Sequence, residues 1–239
     1  MDGERLRSNY QSQLERLRAA ERAAGREEGS VTFLPVTKSV RPATALALAA
    51  AGATALAENR APALEEKAAA ADGAETPIEW HFIGSIQRNK ARRILQRARV
   101  LHSIDSLRLL EALERIAREE ELTAEAYLEV RVGREQQKHG FLPEELGPAL
   151  EAAAALSQRV RLRGIMVMGP LERGRTRAVF EEAQELAREL PQRAPGLFLD
   201  DRCRLSMGMS GDLELAVACG TDLVRVGSAL FEGVEEEAA

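Results

Sequence analysis

A length of 239 residues and a hydrophobic share of 45% suit one compact domain or two small ones around a buried core, which argues against a disordered or fibrous chain. The 33 basic and 38 acidic residues leave a net charge of −5, so no global positive field draws the chain to nucleic acid or to an anionic membrane. Only four of the basic residues are lysines (Lys38, Lys67, Lys90 and Lys138), the remainder being arginine. Where arginine supplies charge by default, each lysine is a candidate for chemistry that a guanidinium cannot do, such as losing a proton and attacking a carbonyl.

Residues 2–24 place Leu6, Tyr10, Leu14 and Leu17 at helical spacing ahead of Gly25, which predicts an amphipathic leading helix. Beyond it, short apolar runs alternate with Ala/Glu/Arg-rich stretches at about 27 residues per unit, the size of a βα repeat. Eight strands are expected, at 31–37, 53–58, 80–84, 100–105, 126–132, 163–168, 203–208 and 222–227. Eight strands, each followed by a helix, predict an α/β fold of the (β/α)8 TIM-barrel type with an extra N-terminal helix. An open doubly wound sheet is disfavoured because no GxGxxG follows the first strand. Cys203 and Cys219 lie in apolar contexts without a CxxC pair, the pattern of free buried thiols in a reducing compartment. No apolar run approaches the roughly 20 residues of a spanning helix, and the charged opening lacks a leader's apolar core; a cytoplasmic protein with no membrane contact is expected.

Polar residues gather where the strands should end, the working rim of such barrels. Lys38 ends the first strand and Asn59 follows the second. His81 and Gly84 close the third, and His102, Ser103 and Asp105 the fourth; Lys138 follows the fifth. Ser206 to Ser210 follow the seventh, and Arg225, Gly227 and Ser228 end the eighth. The last two loops offer glycines that let amides approach an anion and hydroxyls that add donors, either as a phosphate site or as plain strand-to-helix turns with Ser210 as a cap. Strand parity turns Leu223 and Arg225 into the barrel and Val224 and Val226 outward. A guanidinium there needs an acceptor, either a ligand or a carboxylate such as Asp105. Lys38 shares the parity of Leu34 and Val36, so an inward, apolar setting is expected, in which desolvation frees the amine for imine formation. An inward lysine, a phosphate cradle and an interior arginine describe a receptacle for a phosphorylated aldehyde, of which pyridoxal phosphate is the common one.

The segments VTFLPVTKS (31–39), AENR (57–60), WHFIGSIQRNK (80–90), HSIDS (102–106), KHG (138–140), RGIMVMG (163–169) and LSMGMSGDLELAVACGTDLVRVGSALFEG (205–233) together resemble the pyridoxal phosphate homeostasis proteins. These are single-domain barrels similar to the cofactor domain of bacterial alanine racemase, the fold-type III architecture. The resemblance covers residues 31 to 233. It implies one pyridoxal-phosphate-binding barrel domain spanning 1–239, with 2–24 as the leading helix. It implies that Lys38 carries a Schiff base to pyridoxal 5'-phosphate, that Ser206, Gly227 and Ser228 hold the phosphate, that Asn59 lies beside the ring, and that Arg225 approaches the pyridine nitrogen. A permanent cation at that nitrogen disfavours its protonation and weakens the ring as an electron sink. Three departures stand out: Ala57 where the family usually has glycine, Pro35 within the first strand, and a loop after the sixth strand, GPLERGRTR (169–177), that is short for the family.

The basic segment 87–99 lacks interleaved aromatics and reads as a solvated helix face rather than a nucleic-acid patch. His81, His102 and His139 lack ligand spacing, so no metal site is expected. Met166, Met168, Met207 and Met209 read as packing near the rim, Trp80 as core or interface, and Lys67 as ordinary helix surface. Racemisation needs a second acid–base group facing the lysine. The tyrosines available, Tyr10 in the leading helix and Tyr127 at the start of the fifth strand, lie away from the rim. The expectation is therefore a carrier with no catalytic residues, a monomer or weak homodimer, that stores, buffers or delivers pyridoxal phosphate, with pyridoxal-phosphate-dependent apoenzymes as its partners. The alternatives are a low-activity amino-acid racemase or lyase that uses the cofactor, and a cofactor-free aldolase acting through Lys38.

Overall fold

The computed structural model describes residues 3–73, 77–133, 139–156, 158–170 and 172–235. Lys138 lies outside the described residues. Eight strands form one parallel sheet: β1 (Thr32–Pro35), β2 (Ala55–Glu58), β3 (Glu79–Phe82), β4 (Val100–Ile104), β5 (Ala124–Glu129), β6 (Val160–Met166), β7 (Arg204–Met209) and β8 (Leu223–Val226). Their order is β1-β8-β7-β6-β5-β4-β3-β2. The two end strands meet through a bridge between Val36 and Ala57, with Thr37 N donating to Ala57 O at 2.8 Å, and so close the barrel. All eight predicted strands are present, several shorter than the apolar runs that announced them.

The helices are α1 (Gly3–Ala23), α2 (Pro42–Ala50), α3 (Ala61–Ala71), α4 (Ala91–Arg97), α5 (Leu107–Glu119), α6 (Leu146–Leu156), α7 (Thr176–Arg193) and α8 (Leu213–Ala218). Each faces the sheet with an apolar stripe. In α5 the buried set is Leu109, Leu110, Leu113, Ile116 and Ala117, which recur at helical spacing. Each fully buried leucine of this kind contributes about 1.5–3 kcal/mol. One expectation changes: β8 leads only into a short 3-10 turn at Ser228–Leu230, and α1 packs between α8 and α2 in the place of an eighth helix. The leading helix therefore completes the ring rather than adding to it. Asn9 Nδ2 donates to the carbonyls of Leu230 and Glu232 at 3.1 and 2.9 Å, and Arg16 forms a two-pronged pair with Glu214 at 2.6 Å.

Pro35 is tolerated because of where its missing amide points. Val36 N donates to Val226 O of β8, and Thr37 N to Ala57 of β2. By alternation Pro35 faces β2, along the seam where the ladder is a single bridge, and so its lost donor removes little.

Buried carboxylates start several strands. Glu21, fully buried in α1, accepts from Val31 N at 2.7 Å and Gly29 N at 3.0 Å ahead of β1. Glu114 of α5 accepts from Arg159 N and Val160 N, both at 2.9 Å, at the start of β6. Glu21→Ala leaves two amides without their acceptor, and we expect it to lower the unfolding free energy by about 2 kcal/mol, read as a lower urea midpoint at unchanged m.

Candidate functional site

Strand parity sorts the side chains as expected. Val224 and Val226 join the outer core under the helices, while Leu223 packs inside with Leu34, Val36 and Ala57. A second interior cluster holds Val100, Tyr127 and Met166. Between these two apolar plugs runs a polar file. Arg225 Nη1 donates to the backbone oxygen and to Oγ of Ser206, both at 2.7 Å, and Nη2 donates to Val167 O at 3.1 Å. Ser206 Oγ lies 2.9 Å from His102 Nδ1, and His102 Nε2 lies 2.9 Å from His81 Nδ1. His81 Nε2 is 3.0 Å from Glu79 Oε2. The Tyr127 ring stacks on His102 with centroids 4.6 Å apart.

Several rim expectations change here. His81, His102 and Ser206 are fully buried in the lumen, not displayed on the rim. The Ser206 hydroxyl is committed to Arg225 and His102, so the phosphate contact expected of it does not fit its position. Arg225 has no carboxylate partner at bonding distance among the described residues; two backbone carbonyls and one hydroxyl satisfy it. Burial lowers its pKa to about 10, which leaves it a cation at neutral pH. Tyr127 sits mid-strand in the lumen rather than at a strand start.

At the carboxyl ends of the strands stand Lys38, Asn59, Gly227 and Ser228. Lys38 is exposed, which replaces the apolar setting expected of it, and follows the Thr37 that crosses the seam. Asn59 is half-buried, and its carbonyl is approached so closely by Gly84 that a Cβ there would stand 2.1 Å from the oxygen. This is the reason for the glycine in WHFIG. Val36 N donates to Val226 O at 2.7 Å, which sets the Lys38 strand end directly beside the Gly227–Ser228 turn. The β7 loop is shaped by Gly208, whose φ of +94° and 2.4 Å Cβ clearance to Ala216 exclude a side chain, and by Asp212 Oδ1 accepting from Met209 N at 2.6 Å. Arg16 of α1 holds the same loop through Ser210 O at 2.9 Å. Met168 and Met209 are exposed on this rim, whereas Met166 and Met207 are buried. Asp105 and His139 approach to 4.0 Å at the ends of β4 and the β5 loop.

Two functional features escaped the sequence. Lys67 is not helix surface: it is 2% exposed, donates to Thr37 O at 2.6 Å and pairs with the buried Glu58 carboxylate. Glu58 Oε2 also accepts from Asn59 N at 2.9 Å. One amine from α3 thus grips the residues adjoining both Lys38 and Asn59. Lysine scarcity pointed to it, but the alanine-rich stretch around it read as an exposed face. The second is Glu129 at the end of β5, on the lumen parity of Tyr127. Burial first and the Asp105 charge second push its pKa up to about 7, against the opposing pull of Arg225.

A model for the alanine racemase N-terminal domain matches residues 7–234. The pyridoxal phosphate homeostasis protein of Pseudomonas aeruginosa is 39% identical over 90% of this chain and 90% of its own length. The chain belongs to the pyridoxal phosphate homeostasis proteins. The member from Deinococcus radiodurans is 41% identical over 90% of this chain and 95% of its own. Among solved structures, PipY of Synechococcus elongatus with PLP bound is 36% identical over 89% of this chain and 99% of its own, with a TM-score of 0.78. Among its described residues this chain has no helix long and apolar enough to cross a membrane. Nor do they contain a cluster of His, Cys, Asp and Glu fit for a metal ion. In the basic segment 87–99, three arginines pair with acids on or just beyond α3 and α5, Arg92 with Glu119 and Glu120, Arg93 with Glu65 and Arg97 with Asp72.

Removing the amine alone from the buried pair, as in Lys67→Met, strands Glu58 without a counter-charge, and we expect a loss of about 3–5 kcal/mol by chemical denaturation. Adding Glu58→Gln to that variant should recover most of it. Glu129 carries the opposite sign. Its folded state holds a proton more tightly than the unfolded chain, so stability falls as pH rises from about 5 to 7 and is level above. Glu129→Gln should flatten that slope and be the more stable protein at pH 8, by about 2 kcal/mol.

Proposed function

We propose that this barrel binds pyridoxal 5'-phosphate covalently and reversibly at Lys38 and serves to store, buffer or deliver it. The observation that carries the reading is the donor set at the ends of β1 and β8. An exposed primary amine stands one strand from a Gly-Ser turn, with a buried guanidinium beneath them in the lumen. This set fits the group: an amine for its aldehyde, amides and a hydroxyl for its phosphate, a cation for its ring nitrogen. Gly227 suits the role sterically, since a Cβ there would already press on Val36 O at 3.3 Å.

Pyridoxal phosphate supplies a reactive aldehyde conjugated to a ring that withdraws electrons best when its nitrogen is protonated. Lys38 supplies the nucleophile, and its exposure leaves water free to reverse the bond. Gly227, Ser228 and the Met209–Gly211 loop would hold the phosphate in place of Ser206. Asn59, fixed by Glu58 and Gly84, would flank the ring. Arg225 would present a permanent positive charge to the nitrogen, which opposes protonation there and restrains chemistry at an amino acid's α-carbon. The two tyrosines support a carrier rather than a racemase. Tyr127 is enclosed against His102, and Tyr10 packs edge-on to Phe33 at 5.7 Å on the outer side of the sheet.

Glu129 favours a second reading, slow proton exchange on an amino acid, because it is a rim-proximal acid that changes charge near neutrality. The purified protein mixed with pyridoxal phosphate should turn yellow, and borohydride should fix the label on Lys38. Lys38→Arg should stay colourless; undiminished covalent uptake by that variant would refute the assignment. Solvent deuterium should enter free amino acids no faster than with pyridoxal phosphate alone, and sustained exchange lost in Glu129→Gln would establish the second reading instead.

A further inference from the structure

The polar file through the lumen has a direction that its two ends impose. Arg225 is a donor only, so Ser206 Oγ must accept from it. At the other end, pairing with His81 holds the Glu79 carboxyl below its usual range, so it is ionised and accepts only. His81 must therefore carry its proton on Nε2, which leaves Nδ1 as the acceptor facing His102. His102 Nε2 then has to donate, leaving its Nδ1 to accept from the Ser206 hydroxyl. Burial lowers the pKa of both histidines, so neither takes a second proton that would relax this logic. The four donors, Arg225, Ser206, His102 and His81, all point a proton the same way, toward Glu79.

The file crosses the barrel. His102 on β4 meets Ser206 on β7, strands separated in the sheet by β5 and β6. Glu79 opens β3 at the amino-terminal mouth, where its side chain is 47% exposed and Arg163 approaches to 3.6 Å. Arg225 stands near the opposite mouth.

We propose that Glu79 is a positioning residue that acts through His81, His102 and Ser206 to orient the Arg225 guanidinium, and so to set how firmly the barrel holds its ligand from the mouth opposite Lys38. Without an obligate acceptor at Glu79, His81 is free to reverse its proton. His102 then follows, and the Ser206 hydroxyl must accept from His102 while still accepting from Arg225. The reversed file has a surplus of donors at Ser206, which loosens the grip on the guanidinium. The ligand half of this proposal rests on pyridoxal phosphate binding as read above; the proton order does not.

Long-range proton–nitrogen NMR on ligand-free protein labelled with 15N-histidine reads the tautomers directly. Wild type should show His81 and His102 both protonated on Nε2 alone, with exposed His139 as the averaged reference. Glu79→Ala should turn both into tautomer mixtures, and Glu79→Gln, which keeps an oxygen acceptor, should largely restore them. Release of pyridoxal phosphate, followed by loss of its visible band to an excess of a trapping apoenzyme, should be about fivefold faster in Glu79→Ala. Asp200→Asn, which removes an acid near the same mouth but outside the file, should change neither. Nδ1-protonated histidines in the wild type would overturn the direction, and a wild-type His102 signal in folded Glu79→Ala would overturn the coupling. If Glu79→Ala does not fold, the wild-type tautomers decide the direction, and Glu79→Lys, a donor that obliges His81 Nε2 to accept, decides the coupling: His102 should move its proton to Nδ1, and an unchanged His102 signal would overturn it. Tautomers as expected in a wild type that takes up no pyridoxal phosphate would uphold the proton order and reject the binding reading.

Discussion

A parallel barrel must join its first and last-paired strands, and here that seam falls between β1 and β2, where Pro35 has removed a donor and the ladder has shrunk to one bridge. The buried contact of Lys67 with Thr37 O and Glu58 holds the seam from behind. Such a pair costs desolvation, and burial alone does not make it a net source of stability. Its value is geometric. The ammonium has donors for both strands at once, and Thr37 and Glu58 are the immediate neighbours of Lys38 and Asn59. The position of the site's amine thus depends on a second, hidden amine.

The same division of labour runs through the lumen. The walls are close-packed apolar clusters, while the polar file between them is satisfied at every member that the structure describes. A fully bonded file of this kind specifies one arrangement of side chains, where an apolar lumen would tolerate several. It also explains why a serine in the phosphate-like stretch LSMGMS lies inside the barrel. The hydroxyl completes a file between a guanidinium and an imidazole, and the part of that stretch proposed to hold the phosphate begins three residues later, at Met209.

The fold was legible because (β/α)8 repetition writes itself twice, in alternating apolar runs and in the clustering of polar residues at strand ends. Parity sufficed to send Arg225 and Leu223 inward and Val224 and Val226 outward. It failed at Lys38, since parity holds within a strand and β1 ends at Pro35. It failed differently at His81, His102 and Ser206, where strand-end position was read as rim although the strands continue past them toward the mouth. Lys67 shows a third limit: helix periodicity marks apolar faces, and a lysine reaching across a seam toward a glutamate 9 positions earlier leaves no periodic trace. Membership in the homeostasis family came from motifs, and no motif contains the acceptor that gives the histidine file its direction.

The leading helix stands where the eighth helix of the ring belongs, and it is fastened to carbonyls beyond β8. The groups around the candidate site are drawn from the beginning of the sheet, Lys38 and Asn59, and from its end, Arg225 and Ser228. While the chain is being made, seven of eight strands can pair before Lys38 and Asn59 meet Arg225 and Ser228. The pocket is consequently the last part of the barrel to exist and the first to vanish when the ring opens. A ligand held as proposed, by Lys38 beyond β1, Asn59 after β2 and Ser228 after β8, would span the seam as well as the β1–β8 join, so that occupancy and closure of the ring become one equilibrium.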